Sequence, residues 1–245
     1  MNEILTTREV VKSFGKLQAL RGVSLAVGKG ELHGLIGPNG SGKSTLLKCI
    51  VGAETTSGGT ITFDGMDVTR VPPDQRARLG MCLKFQVTSI LPALSVYDNV
   101  LLAVQRNGSL GQLLRSSTRR ALRPEVTTLL EAVNLADRAS VLAQELSHGQ
   151  QQWLEIAMAI SQRPSLLLLD EPTAGMNREE RRATGDLLER LARGTSMVIV
   201  EHDLDFVRRM CTRITVLEQG EVIAEGSASE IEQNENVKGA FIGRR

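Results

Sequence analysis

Cysteine is scarce in this sequence, and the few cysteines it has exclude two kinds of site. The 245 residues contain three cysteines, Cys49, Cys82 and Cys211, which lie far apart and form no C-x-x-C pair. An odd number of scattered thiols predicts neither a disulfide framework nor a zinc site. The cysteine usage therefore fits a reducing compartment.

The sequence also lacks long apolar runs and an excess of one charge. No stretch approaches the run of about 18 apolar residues that a membrane helix requires, and the N-terminal stretch has no apolar signal core. We therefore expect that the chain does not span a membrane by itself. Lys and Arg number 29 against 28 Asp and Glu, so no global positive field favours nucleic acid. The local run RRALR at 119–123 is more typical of a solvated helix face.

Strand-like and helix-like patterns predict an α/β core. The runs EVVKSF, VSLAV and ELHGLIG read as strands, and the last of them leads through GPNGSGKST into the helical pattern LLKCIVG. Nearly continuous apolar runs, SLLLLDEP and SMVIVEH, are typical of parallel strands that are buried on both faces. Asp64-Gly65 and Gln219-Gly220 predict hairpins, the first within an antiparallel β edge.

A helical pattern interrupts this core. It covers SVYDNVLLAVQ, RRALRPEVTTLLEAVNL and a segment that begins in LSHGQ. We interpret residues 87–161 as an inserted helical subdomain, and residues 1–86 and 162–245 as one core that carries the β edge. A short helical tail is expected at the C-terminal end.

The stretch GPNGSGKST fits the phosphate-loop pattern G-x-x-x-x-G-K-[ST] and stands between a predicted strand and a predicted helix. Glycines let successive backbone N–H groups turn toward phosphate oxygens, Lys43 neutralises charge on the β- and γ-phosphates, and Ser44 offers a hydroxyl to Mg²⁺. The fold class predicted is an α/β P-loop nucleoside triphosphatase core with an antiparallel β edge and an inserted α-helical subdomain. The candidate nucleotide-binding residues of the loop are Gly37, Asn39, Gly40, Ser41, Gly42, Lys43, Ser44 and Thr45.

Two further segments place polar side chains at strand ends. LLLLDEP ends a buried run with an acidic pair, in which Asp170 can hold the Mg²⁺ shell and Glu171 can act as a general base on water. VEHD follows the next predicted strand and brings His202 to the same sheet edge, where it can donate a hydrogen bond to a γ-phosphate oxygen. Without the phosphate loop, Glu171 reads equally well as a surface acid at a strand end, and a lone histidine at the position of His202 is more often structural than catalytic.

The polar turn LSHGQQQW precedes the apolar run LEIAMAI. Ser147 is a good N-cap for a helix that starts there, and as a cap it needs no further role. The free N–H groups and positive dipole end of such a helix also suit an anion. The turn alone favours the capping role.

Taken together, these segments resemble the ATP-binding cassette ATPases over nearly the whole chain. The resemblance implies that Phe14 stacks on adenine and that Gln86 senses Mg²⁺ and water, so that Gln86 joins Lys43, Glu171 and His202 as a catalytic candidate. LSHGQ is similar to the family signature LSGGQ, which binds the γ-phosphate held by another subunit. The residues that this implies for the site in trans are Ser147, Gly149 and Gln150.

Two departures from the family pattern stand near this signature. His148 replaces its first glycine, and AGMN at 174–177 stands where many members have SALD, so that Asn177 replaces an aspartate. Ser147 and Gly149 are retained, so ATP-driven closure is expected to survive. The contact of Asn177 across a dimer is left open.

The resemblance implies ATP and Mg²⁺ as cofactors and a head-to-tail dimer, either a homodimer or a heterodimer with a sister ATPase. It also implies a peripheral position at the cytoplasmic face of the inner membrane, with integral membrane permease subunits as partners and a periplasmic solute-binding protein as an indirect one. No nucleic acid partner is expected. The permease would dock near Gln86 and residues 87–102.

Within the family, LSHGQQQWLEIAMAI, LLLLDEPTAGMN and VEHDLDFV are similar to the ATP-binding subunits of hydrophobic amino acid importers, above all the urea-type branch. Three alternatives stay open: the ATPase of a lipopolysaccharide-type exporter, a soluble cassette ATPase that acts on ribosomes or DNA, and a P-loop kinase. The soluble cassettes usually show two fused cassettes or a long coiled-coil insertion, and neither is present here. A kinase leaves LSHGQ and VEHD unexplained.

Overall fold

The computed structural model of the chain describes residues 3–84, 89–105, 118–192 and 194–242. These residues form two compact units. The first comprises the described parts of 1–83, 165–172 and 189–245, and the second comprises those of 84–164 and 173–188. The second unit thus includes residues 173–188 in addition to most of the predicted helical insertion. The bounds of 87–161 for that insertion remain a prediction.

The strands form two sheets. A four-stranded antiparallel sheet has the order β2-β1-β4-β5, and a six-stranded sheet has the order β10-β9-β3-β8-β7-β6. The strands are β1 (Glu3–Phe14), β2 (Leu17–Gly28), β3 (Leu32–Ile36), β4 (Gly58–Phe63), β5 (Met66–Asp67), β6 (Met81–Lys84), β7 (Leu166–Asp170), β8 (Ser196–Val200), β9 (Arg213–Glu218) and β10 (Glu221–Gly226). The predicted β edge is the antiparallel sheet.

The centre of the larger sheet is parallel. β3 pairs with β8 on one side and with β9 on the other, and β8 pairs with β7, all in parallel register. Every residue of β7 and β8 is buried, which confirms the prediction from their continuous apolar runs. Because parallel strands end at one edge of a sheet, the residues that follow β3, β7 and β8 are brought to the same edge.

Both predicted hairpins are confirmed. Phe63 of β4 pairs with Met66 of β5, and Glu218 of β9 pairs with Glu221 of β10. In each turn the residue before the glycine, Asp64 or Gln219, has a positive φ, as such two-residue turns require.

The helices flank these sheets in the first unit and build the second unit. They are α1 (Lys43–Ile50), α2 (Pro73–Leu79), α3 (Val96–Gln105), α4 (Thr118–Ala132), α5 (His148–Ile160), α6 (Arg178–Leu191), α7 (Leu204–Met210), α8 (Ala228–Gln233) and α9 (Glu235–Ile242). The core of the first unit joins the sheets to α1, with fully buried side chains such as Leu35, Leu46 and Ile61. Among the described residues, no helix has the length and apolar character needed to cross a membrane.

In the second unit α3 contacts both α4 and α5. Val100 of α3, Leu130 of α4 and Leu154 of α5 are buried. A buried ion pair adds to this unit, because Nζ of Lys84 lies 3.3 Å from Oε2 of Glu155. The three predicted helices of the inserted segment are therefore present, and they share an apolar core.

Candidate nucleotide site

The phosphate loop follows β3 and ends where α1 begins at Lys43. Two of its glycines are required by close backbone approach. Gly37 has φ 151°, and a Cβ atom added there would lie 2.0 Å from the carbonyl oxygen of Leu217. Gly42 has φ 105°, and a Cβ atom added there would lie 2.7 Å from the carbonyl oxygen of Ala19. Only glycine fits either position, and these two residues therefore allow the tight path of the loop between β3 and α1.

The loop is also fastened to the β9–β10 turn, since the N–H of Gly220 donates to the carbonyl oxygen of Ser41 at 2.9 Å. Ser41 is buried, whereas Asn39 and Gly40 are exposed at the tip of the loop and Ser44 and Thr45 are half-buried in the first turn of α1. The structure thus places the predicted residues in the loop that follows β3 and in the first turn of α1.

Lys43 closes the loop from within. Its Nζ donates to the carbonyl oxygens of Gly37 at 2.8 Å and Pro38 at 2.9 Å, and its side chain is buried. Burial lowers the pKa of Lys43, while the negative charges of Glu171 and Asp170 act in the opposite direction. An ammonium group held this way is positioned for a phosphate that can replace the carbonyl oxygens as its partner.

The acidic pair lies at the end of β7, on the edge that the phosphate loop shares. Asp170 is the last residue of the strand and is buried. Glu171 has φ 50°, which is rare for a residue with a Cβ, and its N–H donates to the carbonyl oxygen of Val200 at 2.9 Å. Such a conformation is often found at functional sites and redirects the side chain away from the strand path.

His202 follows β8 and meets this carboxylate. Its Nε2 lies 2.5 Å from Oε1 of Glu171, and the carboxylate accepts the hydrogen bond. The side chain of Glu171 is 19% exposed and that of His202 is 42% exposed. The structure therefore brings Glu171 and His202 together, and both reach solvent from the edge where Lys43 lies.

The donor set at this edge fits a hard divalent cation. Among the described residues there is no cluster of three or more His, Cys, Asp or Glu that could hold a metal by itself. Mg²⁺ does not need such a cluster, because it is commonly held by one or two protein oxygens together with substrate phosphates. The Asp170 carboxylate and the Ser44 hydroxyl supply oxygens of that kind.

Of the two remaining nucleotide-site candidates, Phe14 and Gln86, the structure describes only Phe14. Phe14 ends β1 with 44% of its surface exposed, and the amine of Lys12 lies 4.6 Å from the centre of its ring. An exposed aromatic ring is available for stacking, but the described contacts do not join it to the phosphate loop. Gln86 lies outside the described residues.

In the second unit, the helix predicted to start in LSHGQ is α5, and Ser147 is its N-cap. Oγ of Ser147 accepts from the N–H of Gln150 at 3.2 Å, and Oε1 of Gln150 accepts from the N–H of Ser147 at 3.1 Å. This is a capping box, so the sequence expectation for the cap is confirmed. The side chain of Gln150, a nucleotide-binding candidate, is used here to hold the turn.

A carboxylate that the sequence reasoning missed lies against this turn. Oγ of Ser147 donates to Oε1 of Glu180 at 3.4 Å. A Cβ atom at Gly149 would come within 2.9 Å of the same oxygen. Glycine at 149 thus leaves room for the Glu180 side chain, which sets a negative charge beside the positive end of α5.

Asn177 and Glu180 cap the next helix. Oδ1 of Asn177 accepts from the N–H of Glu180 at 2.9 Å, and Oε2 of Glu180 accepts from the N–H of Asn177 at 3.1 Å. The pattern Asn-x-x-Glu before α6 was the available sequence signal. His148 also contacts this segment, because its Nε2 donates to the carbonyl oxygen of Ala174 at 3.1 Å. Both departures from the family pattern therefore have a local structural role.

The fold and the edge site define a P-loop ATPase, and the comparisons with known proteins place it more narrowly. A family model described as ABC transporter matches residues 20–174. The branched-chain amino acid transport ATP-binding protein LivG of Salmonella typhimurium is 34% identical, over 98% of this chain and 98% of its own length. Methionine import protein MetN 4 of Oceanobacillus iheyensis is 35% identical, over 89% of this chain and 62% of its own length.

Solved structures agree with these relatives. The ADP conformation of MJ1267, an ATP-binding cassette of an ABC transporter, matches with a TM-score of 0.86 and 32% identity over all of both chains. The dimeric post-hydrolysis state of MJ0796 bound to ADP and Pi matches with a TM-score of 0.79 and 28% identity, over 91% of this chain and 98% of that chain. The chain belongs to the ABC transporter family and is one of its ATP-binding cassette ATPases.

Proposed function

We propose that this chain is the ATP-hydrolysing subunit of a membrane importer for branched-chain or other hydrophobic amino acids, or for urea and short amides. The observation that carries the ATPase site is the shared sheet edge, where Lys43, the acidic pair after β7 and His202 after β8 come together. The transport role is supported by the similarity to LivG over 98% of both chains.

The phosphate loop binds the triphosphate of ATP in this proposal. Backbone N–H groups of the loop, shaped by Gly37 and Gly42, point to the phosphate oxygens, and Lys43 exchanges its two carbonyl partners for the β- and γ-phosphates. Phe14 offers its exposed ring to the adenine. Mg²⁺ would be held by Ser44 and Asp170, with Gln86 as a further candidate ligand, and when bound it supplies charge neutralisation on the phosphates.

Glu171 acts as the general base. Its carboxylate takes a proton from a water as the oxygen of that water attacks the γ-phosphorus, and the bond to the oxygen that bridges to the β-phosphate breaks to give ADP and phosphate. The hydrogen bond from His202 orients the carboxylate before ATP arrives. With nucleotide present, the same imidazole is close enough to the edge to donate to a γ-phosphate oxygen.

The signature turn completes a second subunit's site. We place Ser147, Gly149 and Gln150 against the γ-phosphate bound by a partner cassette, because they form the N-terminal turn of the 13-residue helix α5, whose positive dipole end suits an anion. Two-fold symmetry makes both sites equivalent in a homodimer, and a sister ATPase can take the same place in a heterodimer. The dimeric state of the MJ0796 cassette supports this arrangement.

Replacing Ser147 with arginine tests the role in trans. The side chain is exposed, so a bulky cation there should block ATP-dependent dimerisation while the monomer still binds ATP. Loss of the cap should cost about 1 kcal/mol of stability. Sedimentation velocity measures dimerisation, and equilibrium nucleotide binding measures the affinity of the monomer for ATP. Both are measured in a chain that also carries Glu171→Gln, because this substitution slows ATP hydrolysis.

The matched control is Gln144→Arg, an exposed position three residues earlier that receives the same charge. Gln144→Arg should dimerise normally. If Ser147→Arg lowers nucleotide binding of the monomer as much as it lowers dimerisation, the signature does not act in trans.

The position of Glu180 predicts that removing its charge strengthens ATP-dependent dimerisation. Its carboxylate lies at Ser147 and Gly149, where the partner's phosphate would bind, so it opposes that anion. Glu180→Gln retains the capping geometry and removes the charge, because glutamine serves equally well in a capping box. We expect ATP-dependent dimerisation to strengthen about fivefold, which corresponds to about 1 kcal/mol for a partly exposed charge.

The control for this variant is Glu179→Gln, which removes an exposed charge from the same helix turn. Equal strengthening in both variants would mean that net charge alone controls association. Unchanged dimerisation in Glu180→Gln would show that this carboxylate does not oppose the bound nucleotide.

The partners proposed are two integral membrane permease subunits, with the chain on the cytoplasmic face of the inner membrane. The docking segment proposed, near Gln86 and within 87–102, includes Leu91 and Leu102, each 46% exposed, which suit an apolar contact. Relatives named for different solutes are similarly identical to this chain, at 34% and 35%. The mutual coverage of LivG, 98% of both chains, favours the branched-chain amino acid class over methionine, for which MetN 4 is matched over only 62% of its own length.

Purification from the native cell tests the transport role. A tagged Glu171→Gln chain would be isolated from membranes with ATP and Mg²⁺, and the proteins that accompany it identified. We expect two permease subunits, with a sister ATPase if the dimer is mixed, and a solute-binding protein that can be titrated with leucine, isoleucine, valine, urea and short amides. Recovery of ribosomes, nucleic acid or an exporter permease would overturn the importer assignment and leave the ATPase site intact.

A further inference from the structure

A cavity in the second unit carries positive charge that the ATPase site does not use. Its volume is about 900 Å³, within the range of small-molecule sites. Its walls include three arginines of α4, together with polar side chains that precede or begin α3 and one that follows α4. The residues are Arg119, Arg120, Arg123, Ser95, Tyr97 and Ser140.

One side of the cavity is held in place by its own contacts. Asp98 also lines it and pairs with Arg119, with Oδ1 3.0 Å from Nη1, while Ser95 donates to the other carboxylate oxygen at 2.7 Å. The guanidinium of Arg119 lies 5.1 Å from the centre of the Tyr97 ring. The backbone N–H of Tyr97 donates to the carbonyl oxygen of Ala139 at 2.9 Å. Asp98 and Arg119 are therefore committed to each other before any ligand arrives.

The other two arginines of the cavity, Arg120 and Arg123, differ from Arg119 in their surroundings. Arg120 and Arg123 are exposed, and neither forms an ion pair with a residue that the structure describes. Three arginines against the single carboxylate of Asp98 leave the cavity with an excess of two positive charges. This local excess stands in a chain whose formal net charge is only +1.

We propose that this arginine cavity binds a phosphate group, carried either by the head group of an anionic lipid or by a soluble phosphate ester. Guanidinium groups present paired N–H donors that match phosphate oxygens, and within the described ranges two of them here form no ion pair. A single-stranded nucleic acid is a poorer fit, because it requires aromatic platforms for its bases and Arg119 already covers a face of Tyr97. The residues that line the arginine cavity lie between Ser95 and Ser140, and none of them belongs to the phosphate loop.

Paired variants test the proposal. The parent is the full chain with Lys43→Ala, which removes phosphate binding at the loop. The test variant carries both Arg120→Ala and Arg123→Ala, and the control variant carries both Arg8→Ala and Arg70→Ala. The control removes the same charge, because Arg8 and Arg70 are also exposed and form no ion pair with a described residue. The probes are inorganic pyrophosphate, measured by calorimetry, and vesicles of phosphatidylcholine with or without phosphatidylglycerol, measured by cosedimentation.

We expect the parent to bind at least one of the two phosphate probes, and the loss of Arg120 and Arg123 to weaken that binding about 30-fold. The control pair should change it less than about twofold. Binding to phosphatidylglycerol vesicles alone identifies a lipid head group as the ligand, and binding to pyrophosphate identifies a soluble phosphate ester. Absence of binding to both probes, or equal losses in both pairs, overturns the proposal. ATP binding by the chain with Lys43 restored reports separately on the nucleotide site.

Discussion

Lys43→Ala is expected to reduce ATP hydrolysis by at least about 100-fold and to abolish tight ATP binding. The ammonium group is buried within the phosphate loop and has two carbonyl oxygens as partners, so no other side chain of the loop can replace its charge. Burial lowers the pKa of Lys43, but the charges of Glu171 and Asp170 oppose that effect and favour the protonated form that a phosphate requires. Phosphate release and equilibrium nucleotide binding measure the two losses.

Lys48→Ala is the control for this variant. Lys48 lies in the last turn of the same helix, is exposed, and carries the same charge. Its loss should leave ATP binding and hydrolysis unchanged. If Lys43→Ala binds ATP as tightly as Lys48→Ala does, with both variants folded by thermal unfolding, Lys43 does not hold the nucleotide.

The edge of the parallel sheet could be predicted from the sequence because each of its parts has a local signal. The glycine spacing around Lys43 marks the loop, and the uninterrupted apolar runs of β7 and β8 mark strands that are buried on both faces. Parallel pairing then requires that residues after these strands meet at one edge. The contact between Glu171 and His202, 31 positions apart, follows from that rule.

The surroundings of the signature turn could not be predicted in the same way. The polar letters of LSHGQ predict a cap, and Ser147 is one, but they do not show which side chain lies against Gly149. That contact comes from Glu180, more than 30 positions later, through a turn capped by Asn177. A tertiary contact of this kind has no periodic or local signal, so only the structure shows it.

The left-handed backbone at Glu171 is a further feature without a sequence signal. Glycine, asparagine and aspartate are the residues usually found at positive φ, and a glutamate there is uncommon. The conformation is maintained by the hydrogen bond from its N–H to Val200 and by the side-chain contact with His202. Strain that is tolerated next to a reactive carboxylate agrees with a functional requirement for its direction.

Glu171→Gln is expected to retain ATP binding and to lower hydrolysis by a factor of about 10² to 10⁴. The amide has nearly the same shape as the carboxylate and adopts positive φ at similar cost, so the backbone at β7 should not change. It cannot accept a proton from water, and the ATP-bound dimer should therefore accumulate. Single-turnover phosphate release measures the chemistry, and sedimentation velocity with ATP and Mg²⁺ measures the dimer.

Glu179→Gln controls for the loss of one carboxylate, because Glu179 is exposed in the first turn of α6. It should hydrolyse ATP at the parent rate and should not trap a dimer. Hydrolysis by Glu171→Gln at the parent rate would remove Glu171 from the role of general base. Loss of ATP binding together with hydrolysis would also remove it, since the carboxylate would then contribute to holding the nucleotide. His202→Ala separates the two parts of the pair: if His202 orients Glu171, hydrolysis falls in this variant while ATP binding persists.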